Sequence, residues 1–437
     1  MPVPGKADRM NGKRIRVVLV IDGFWMALGG AEHQVMRLAR ELTPLDIDVT
    51  ILARQVRRGL PAEEQIDGLR VCRLPLLGVS PFSKLKGTIP AARWLIRNKD
   101  NYDIVHCRGH NPFEWSAMPA NMLTRKPYIV QLPNPYFEGY TFPEELHRYQ
   151  TGRRMSCRAG IMRKVLRPGL RLVRLRYLRR SGVVVAISPE VKQALSARNI
   201  KHVVEIPNGV DTRKFCPVDA GPRLELRRRL EEQPETQLYI FSSRLSVEKN
   251  VRTLLEAWEI FARRRPPGEV KLLILGGSDG QTFSVEAYCR ELVRRRNIAA
   301  VAFKGFVDNV RDYLQAADVF VHPSLREGLS NAVLEAISCG LPVIAASGTP
   351  GNSSMIDDKR SGWLFDPHRV EDLTACLERT ARDYDMRRSM GREARKIAVT
   401  KFDLSMVAGK MAELYHEIAG AGRARAAGPN LKRKVKS

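Results

Sequence analysis

Apolar residues in this chain gather into short runs separated by amphipathic stretches. RVVLVI, VTILA, DIVHC, PYIVQL and VVVAIS recur through the first half, then LYIF, KLLILGG, VFVHP and PVIAA through the second. Unbroken apolar runs of this length predict strands buried on both faces. Between many of them the apolar positions take helical spacing, as in LGGAEHQVMRLARELT, which predicts parallel α/β sheets. A chain of 437 residues is too long for one core, and its hydrophobic content of 44% is ample for two. The expected architecture is two facing doubly wound domains, over residues 14–205 and 206–400, with a cleft at the carboxyl ends of their strands. Residues 401–420 predict a terminal helix, and 421–437 a basic disordered tail.

One stretch, REGLSNAVLEAISCGLPVIA from Arg326 to Ala345, concentrates candidate chemistry. Glu327 follows a strand that ends in a Pro-Ser turn. Ser330 is placed to cap the next helix, and Glu335 lies on its second turn. Gly340 and Pro342 stop that helix. The unpaired first amides of a helix and its dipole favour anionic groups. Ionised carboxylates are acceptors only, suited to the hydroxyls of sugar and ribose. Phosphate plus two sets of hydroxyls describes a nucleotide-sugar. Elsewhere, Arg244 and Lys249 follow the strand LYIF, Asn208-Gly209 suits a tight turn, and Gly29-Gly30 opens an amphipathic helix where backbone can approach a ligand closely.

Taken together, these segments resemble the GT-B family of retaining glycosyltransferases, often called family 4 or glycosyl transferases group 1. Pro323, Ser324, Glu327, Gly328, Leu329, Glu335, Ala336, Gly340, Pro342 and Val343 all fall where that family has them. IPNGVDTRKF, with Asn208, matches its signature at the domain junction. The resemblance implies that Glu327 holds donor-sugar hydroxyls and Glu335 the ribose. Backbone amides of Gly328, Leu329, Ser330 and Asn331 would meet the diphosphate, with Gly29 and Gly30 approaching from the opposite domain. Arg244 and Lys249 would clamp the diphosphate and neutralise charge on the leaving group. The catalytic set is then Glu327, Arg244 and Lys249. The base would be read through the backbone of Lys304, Gly305, Phe306 and Val307. The terminal helix would cross back onto the first domain. A UDP-sugar is the leading donor, with no other cofactor and no metal, since no D-x-D motif stands where metal-dependent transferases use one.

Three departures fall on the side facing sugar and acceptor. Pro133 stands where relatives commonly have a histidine, in PYIVQLPNPY. IVHCRGH keeps His106 but puts Arg108 where a second histidine is common, leaving His110 as a substitute on the sugar or acceptor side. Gly351-Asn352-Ser353-Ser354 lacks the proline and glutamate of the usual loop. Alternatives are therefore a nucleotide-sugar epimerase or hydrolase of the same architecture, or a non-catalytic membrane-associated relative. A two-carboxylate glycosidase is disfavoured, because eight helical positions separate carboxylates by about 12 Å.

Charge adds the most individual feature. The formal net charge is +26. Residues 152–180, GRRMSCRAGIMRKVLRPGLRLVRLRYLRR, hold eleven basic residues and no acidic one, and the tail from Ala421 holds six more. Pro168-Gly169 predicts a division into two short pieces. Leu170, Val173, Tyr177 and Leu178 can share one face flanked by Arg171, Arg174 and Arg179, suiting an anionic membrane surface. Nucleic acid is the competing partner, but no recognised binding motif is present, so none is expected. A merely solvated basic face is the third reading. Seven scattered cysteines without a C-x-x-C pair favour reduced thiols. No apolar stretch approaches spanning length and no signal-peptide core is seen. The expectation is a cytoplasmic enzyme, peripheral at the inner membrane face, glycosylating a cell-surface, polysaccharide or lipid-linked acceptor.

Overall fold

The computed structural model describes residues 14–22, 24, 30–55, 59–75, 86–135, 158–277 and 284–426. Its first sheet contains β1 (Ile15–Ile21), β2 (Ile47–Arg54), β3 (Glu63–Ile66), β4 (Leu69–Leu74), β5 (Ile104–Cys107), β6 (Tyr128–Leu132), β7 (Val183–Ala186) and β8 (Val203–Glu205). They lie in the order β3-β4-β2-β1-β5-β6-β7-β8, parallel except for the β3–β4 hairpin. The second sheet holds β9 (Gln237–Ser242), β10 (Val270–Leu275), β11 (Val301–Gly305), β12 (Val319–His322), β13 (Val343–Ala346) and β14 (Gly362–Phe365). Its order is β11-β10-β9-β12-β13-β14, and every pairing is parallel. The nine apolar runs named above all form strands. The β3–β4 hairpin, β8, β11 and β14 were not legible as such, because they are short or lack a long apolar run.

The continuous apolar runs have the expected physical cause. In β1, Val17 and Leu19 enter a core shared with helix α1 (Gly30–Leu42), while Val18 and Val20 enter the core on the opposite face. Alternating side chains thus find an apolar environment on both sides of the sheet. Trp258, Phe261 and Tyr239 pack edge to face in the second domain's core.

Two sequence expectations need correction. Residues Arg158–Arg180 form one helix, α2, which passes through Pro168 and Gly169 rather than dividing there. Proline removes one backbone donor, but the helix is anchored beyond it. Tyr177 and Leu178 are buried in the first domain's core, with Tyr177 stacked on Tyr128 at 5.4 Å. They are therefore unavailable to a membrane, and among the described side chains of that stretch the exposed large apolar ones are Leu170, Leu172 and Val173. Second, the tail begins as helix: α7 (Leu404–Ala426) extends past Ala421, and residues 427–437 lie outside the described residues.

Helix α7 crosses back to the first domain. Val407, Met411, Leu414 and Tyr415 join the core formed by β1 and α1. Chain crossings between the domains meet at one point, where Val210 N donates to Phe402 O at 2.8 Å and Leu404 N donates to Val210 O at 2.9 Å. Gly209 lies inside this junction: a Cβ there would sit 2.8 Å from Leu404 Cα. Among the described residues no helix is long and apolar enough to cross a membrane.

Candidate active site

The centre of the cleft is built where loops after β9 and β12 are stitched together. Leu325 N donates to Glu248 O at 2.8 Å, and Ser324 Oγ donates to the same carbonyl at 3.1 Å. This brings Lys249, at the end of a short 3-10 turn, against Glu327. The Glu327 carboxylate accepts from the Lys249 ammonium and, at 3.1 Å, from Ser324 Oγ. His322 Nε2 lies 3.3 Å from the same oxygen. Burial alone would raise the Glu327 pKa, but Lys249 and His322 outweigh it and hold the group well below the usual carboxylate range. Burial lowers the His322 pKa, against the pull of Glu327, which favours a neutral ring. A fixed, ionised carboxylate with an ammonium beside it is the result.

The helix after Glu327, α4 (Asn331–Ser338), has Ser330 at its N-cap, yet the Ser330 side chain makes no capping bond. The expected cap is thus positional only, and the first-turn amides are not served by that hydroxyl. Asn331 Nδ2 instead donates to Gly30 O across the cleft at 2.7 Å, and Asn208 Nδ2 donates to Asn331 Oδ1 at 3.3 Å. Three segments far apart in sequence therefore meet at the helix N-terminus. Gly29 lies outside the described residues. At Gly328 a Cβ would come within 1.6 Å of Pro133 O, so only glycine allows the two domains to approach here. Pro133, standing in the histidine's place, thus meets the Glu327 loop through its backbone.

Glu335 is not free. Its Oε1 accepts from Arg37 Nη1 of α1 at 2.7 Å, an ion pair that spans the cleft. Arg244 is half-exposed, with Nη2 3.9 Å from Glu248 Oε1. The altered loop forms a short helix, α5 (Asn352–Met355). Ser353 Oγ and Gly351 N both donate to Glu190 of the first domain, at 2.6 Å and 3.2 Å. A carboxylate thus reaches this loop from the opposite domain, where the loop itself has lost one. Sequence reasoning missed Arg37 and Glu190, since neither carries a motif and both act only through interdomain packing.

The strand-end residues expected to read a base are partly engaged. Gly305 O accepts from Gly276 N at 2.6 Å, and the Lys304 ammonium lies 3.3 Å from buried Glu232. Phe306 is exposed, with its ring against Gly277, and Val307 packs at the core's edge. On the first domain, His106 does not face the cleft: it is fully buried, and its Nδ1 shares a 2.6 Å hydrogen bond with Tyr415 of α7. Burial pushes its pKa down to about 3, so it packs as a neutral ring. Arg108, the residue after β5, donates to Gln131 Oε1 at 2.6 Å. His110 follows, with its carbonyl accepting from Trp115 Nε1 at 3.0 Å and burial lowering its pKa to about 3.

Two facing Rossmann-like domains, with a carboxylate, an ammonium and a helix N-terminus at their strand ends, define a GT-B glycosyltransferase. Residues 28–214 match the model of Glycosyltransferase Family 4, and residues 222–397 that of Glycosyl transferases group 1. The two matches together take in most of the chain, which belongs to this glycosyltransferase family. A D-inositol 3-phosphate glycosyltransferase of Xylanimonas cellulosilytica is 27% identical over 78% of this chain and 80% of its own. Mannosylfructose-phosphate synthase of Agrobacterium fabrum is 25% identical over 79% and 77%. Among solved structures, sucrose-phosphate synthase of Thermosynechococcus elongatus superposes with a TM-score of 0.74 at 22% identity, covering 93% of this chain and 100% of its own. An Anabaena protein, HepE, in complex with UDP and glucose gives 0.71 at 17%, covering 92% and 99%.

Proposed function

We propose that this protein transfers a sugar, with retention of anomeric configuration, from a UDP-sugar to a glycan or lipid-linked acceptor. The observation that carries the reading is the convergence of Glu327, Lys249, Asn331 and Gly30 at one helix N-terminus between the domains. In this reading the diphosphate lies over the amides of Gly328 to Asn331, with Arg244 and Lys249 as counter-charges. As the acceptor's hydroxyl oxygen bonds to the anomeric carbon, the bond from that carbon to the β-phosphate oxygen breaks. The electron pair stays on the phosphate oxygen, which the two cations stabilise without a metal ion and which takes up the acceptor's proton. Glu327, held ionised, accepts from donor-sugar hydroxyls, and Lys249 is released from it to the phosphate. Glu335 takes the ribose once Arg37 gives way. The UDP assignment draws on the Anabaena structure in complex with UDP. The exposed arginines and leucines of α2 support a peripheral position on an anionic membrane.

The test is a thermal-shift screen against UDP, GDP, ADP and their common sugar conjugates, with Arg244→Ala as control. Stabilisation by uridine nucleotides, lost in the control, supports the donor site. Anomeric configuration of the product by NMR, measured with EDTA present, then checks retention and metal independence. The reading fails if no nucleotide shifts the transition.

A further inference from the structure

The short helix α5 takes its cap from the opposite domain. Gly351 is its N-cap residue, at φ +83°, a left-handed conformation that favours glycine. Glycine has no side chain with which to cap. In a capping box the N-cap amide is met by a glutamate or glutamine three positions on. That position here is Ser354, whose side chain is too short for the return reach. The bond is made by the first domain instead. Gly351 N donates to Glu190 Oε2 at 3.2 Å, and Ser353 Oγ donates to Glu190 Oε1 at 2.6 Å. Glu190 lies on the first turn of α3 (Pro189–Ser196), just beyond β7, and that helix has its own cap, Ser188, whose Oγ accepts from Val191 N at 3.4 Å.

The capped loop supports the turn that carries Glu327. A Cβ at Gly351 would lie 2.1 Å from Gly328 O and 3.1 Å from Leu329 Cα, so the loop rests directly on that backbone. Thr349 Oγ1 donates to Ser324 O at 2.8 Å, which ties the root of the loop to the residue whose hydroxyl bonds Glu327. Buried Asn352 donates to Ala346 O at 2.8 Å and fixes the loop to the end of β13. The loop thus touches both ends of the 324–329 turn, while its N-cap amide depends on the other domain. Parting of the domains withdraws Glu190 and exchanges a fixed, charged acceptor for water.

We propose that Glu190 is a positioning residue that completes the 324–329 turn only while the domains are closed. It acts through Gly351 and Ser353. This rests on the glycosyltransferase reading, which gives that turn the donor diphosphate, and it adds a control on it. The phosphate-facing amides are held in place in the closed molecule and loosened in the open one.

The experiment is amide hydrogen exchange by mass spectrometry on the full chain, with UDP affinity measured by calorimetry. In Glu190→Ala, peptides covering residues 324–329 and 348–356 should exchange about tenfold faster, with β9 and β10 unchanged as the report of folding. UDP affinity should fall about fivefold. Adding Ser354→Glu to Glu190→Ala supplies a carboxylate at the capping-box position from within the loop. Ser354 lines a cavity of about 480 Å³ between the domains, which has room for the longer side chain. The double variant should return exchange and UDP affinity to within about twofold of wild type. Such rescue separates a cap from adhesion between the domains, which Ser354→Glu does not restore. The proposal is overturned if Glu190→Ala leaves both segments unchanged, if they loosen with no loss of UDP affinity, or if the double variant exchanges as fast as the single one. Wild-type protein that fails to bind UDP would refute the donor reading instead, and the exchange comparison would still decide the cap.

Discussion

Replacing Lys249 by methionine tests the charge arrangement at the centre of the cleft. Lys249 and Glu327 are largely buried, with side chains 11% and 16% exposed. Methionine keeps the stem's volume but leaves a desolvated carboxylate with Ser324 and His322 as its remaining partners among the described residues. Removing one partner of a buried pair costs about 3 kcal/mol or somewhat more. For a domain of this size, that corresponds to a fall of about 6–12 °C in its melting transition. Differential scanning calorimetry can follow the second domain's transition, with UDP marking it. The pH dependence gives a sharper check. In the wild type the folded pKa of Glu327 is depressed, so the pair's contribution is present above the unfolded carboxylate pKa. It is lost only as pH falls through the lowered folded value. Without Lys249, burial shifts the pKa upward, and protonation then relieves the variant. The deficit should therefore shrink between about pH 7 and about pH 4.5. Adding Glu327→Leu removes the stranded charge and should restore stability to within about 1 kcal/mol. A Lys249→Met protein as stable as wild type at neutral pH, or a deficit independent of pH, would refute the reasoning.

Arg37→Ala frees Glu335 from an ion pair that ribose hydroxyls must displace. UDP affinity by calorimetry should rise about fivefold, corresponding to about 1 kcal/mol; unchanged or weaker binding would show that Arg37 assists the nucleotide. Gly328→Ala places a Cβ in Pro133 O and should hold the domains apart. Small-angle scattering should show a more open molecule, and turnover should fall on the order of a hundredfold, while a closed, active variant would contradict the packing. Tyr415→Phe removes the hydroxyl bonded to His106 and should cost about 1 kcal/mol. Calorimetry of the first domain's transition checks this, with an unaltered melting temperature as the adverse result.

The strands and the family were legible because they depend on local order. Runs such as RVVLVI and VFVHP state burial on both faces directly, and the E-x7-E string keeps its residues on one loop and one helix. Gly30 was also marked in advance as a place where backbone can approach a ligand closely, and Gly328 through its place in the family string. What the sequence could not state is which side chains meet across the cleft. Arg37 with Glu335, Glu190 with Ser353, and Asn331 with Gly30 join residues more than 160 positions apart. Their pairing follows from the relative placement of the two domains, fixed where Val210 meets Phe402 and Leu404. The same packing reassigned residues with ambiguous local patterns. Tyr177 and Leu178 lie on an amphipathic face that suits a membrane or a core equally well, and His106 at a strand end suits a ligand or a neighbour. Composition cannot separate those outcomes, because apolar area is buried by whichever surface is nearest. Tertiary structure supplied that surface, turning Tyr177 into Tyr128's stacking partner and His106 toward Tyr415.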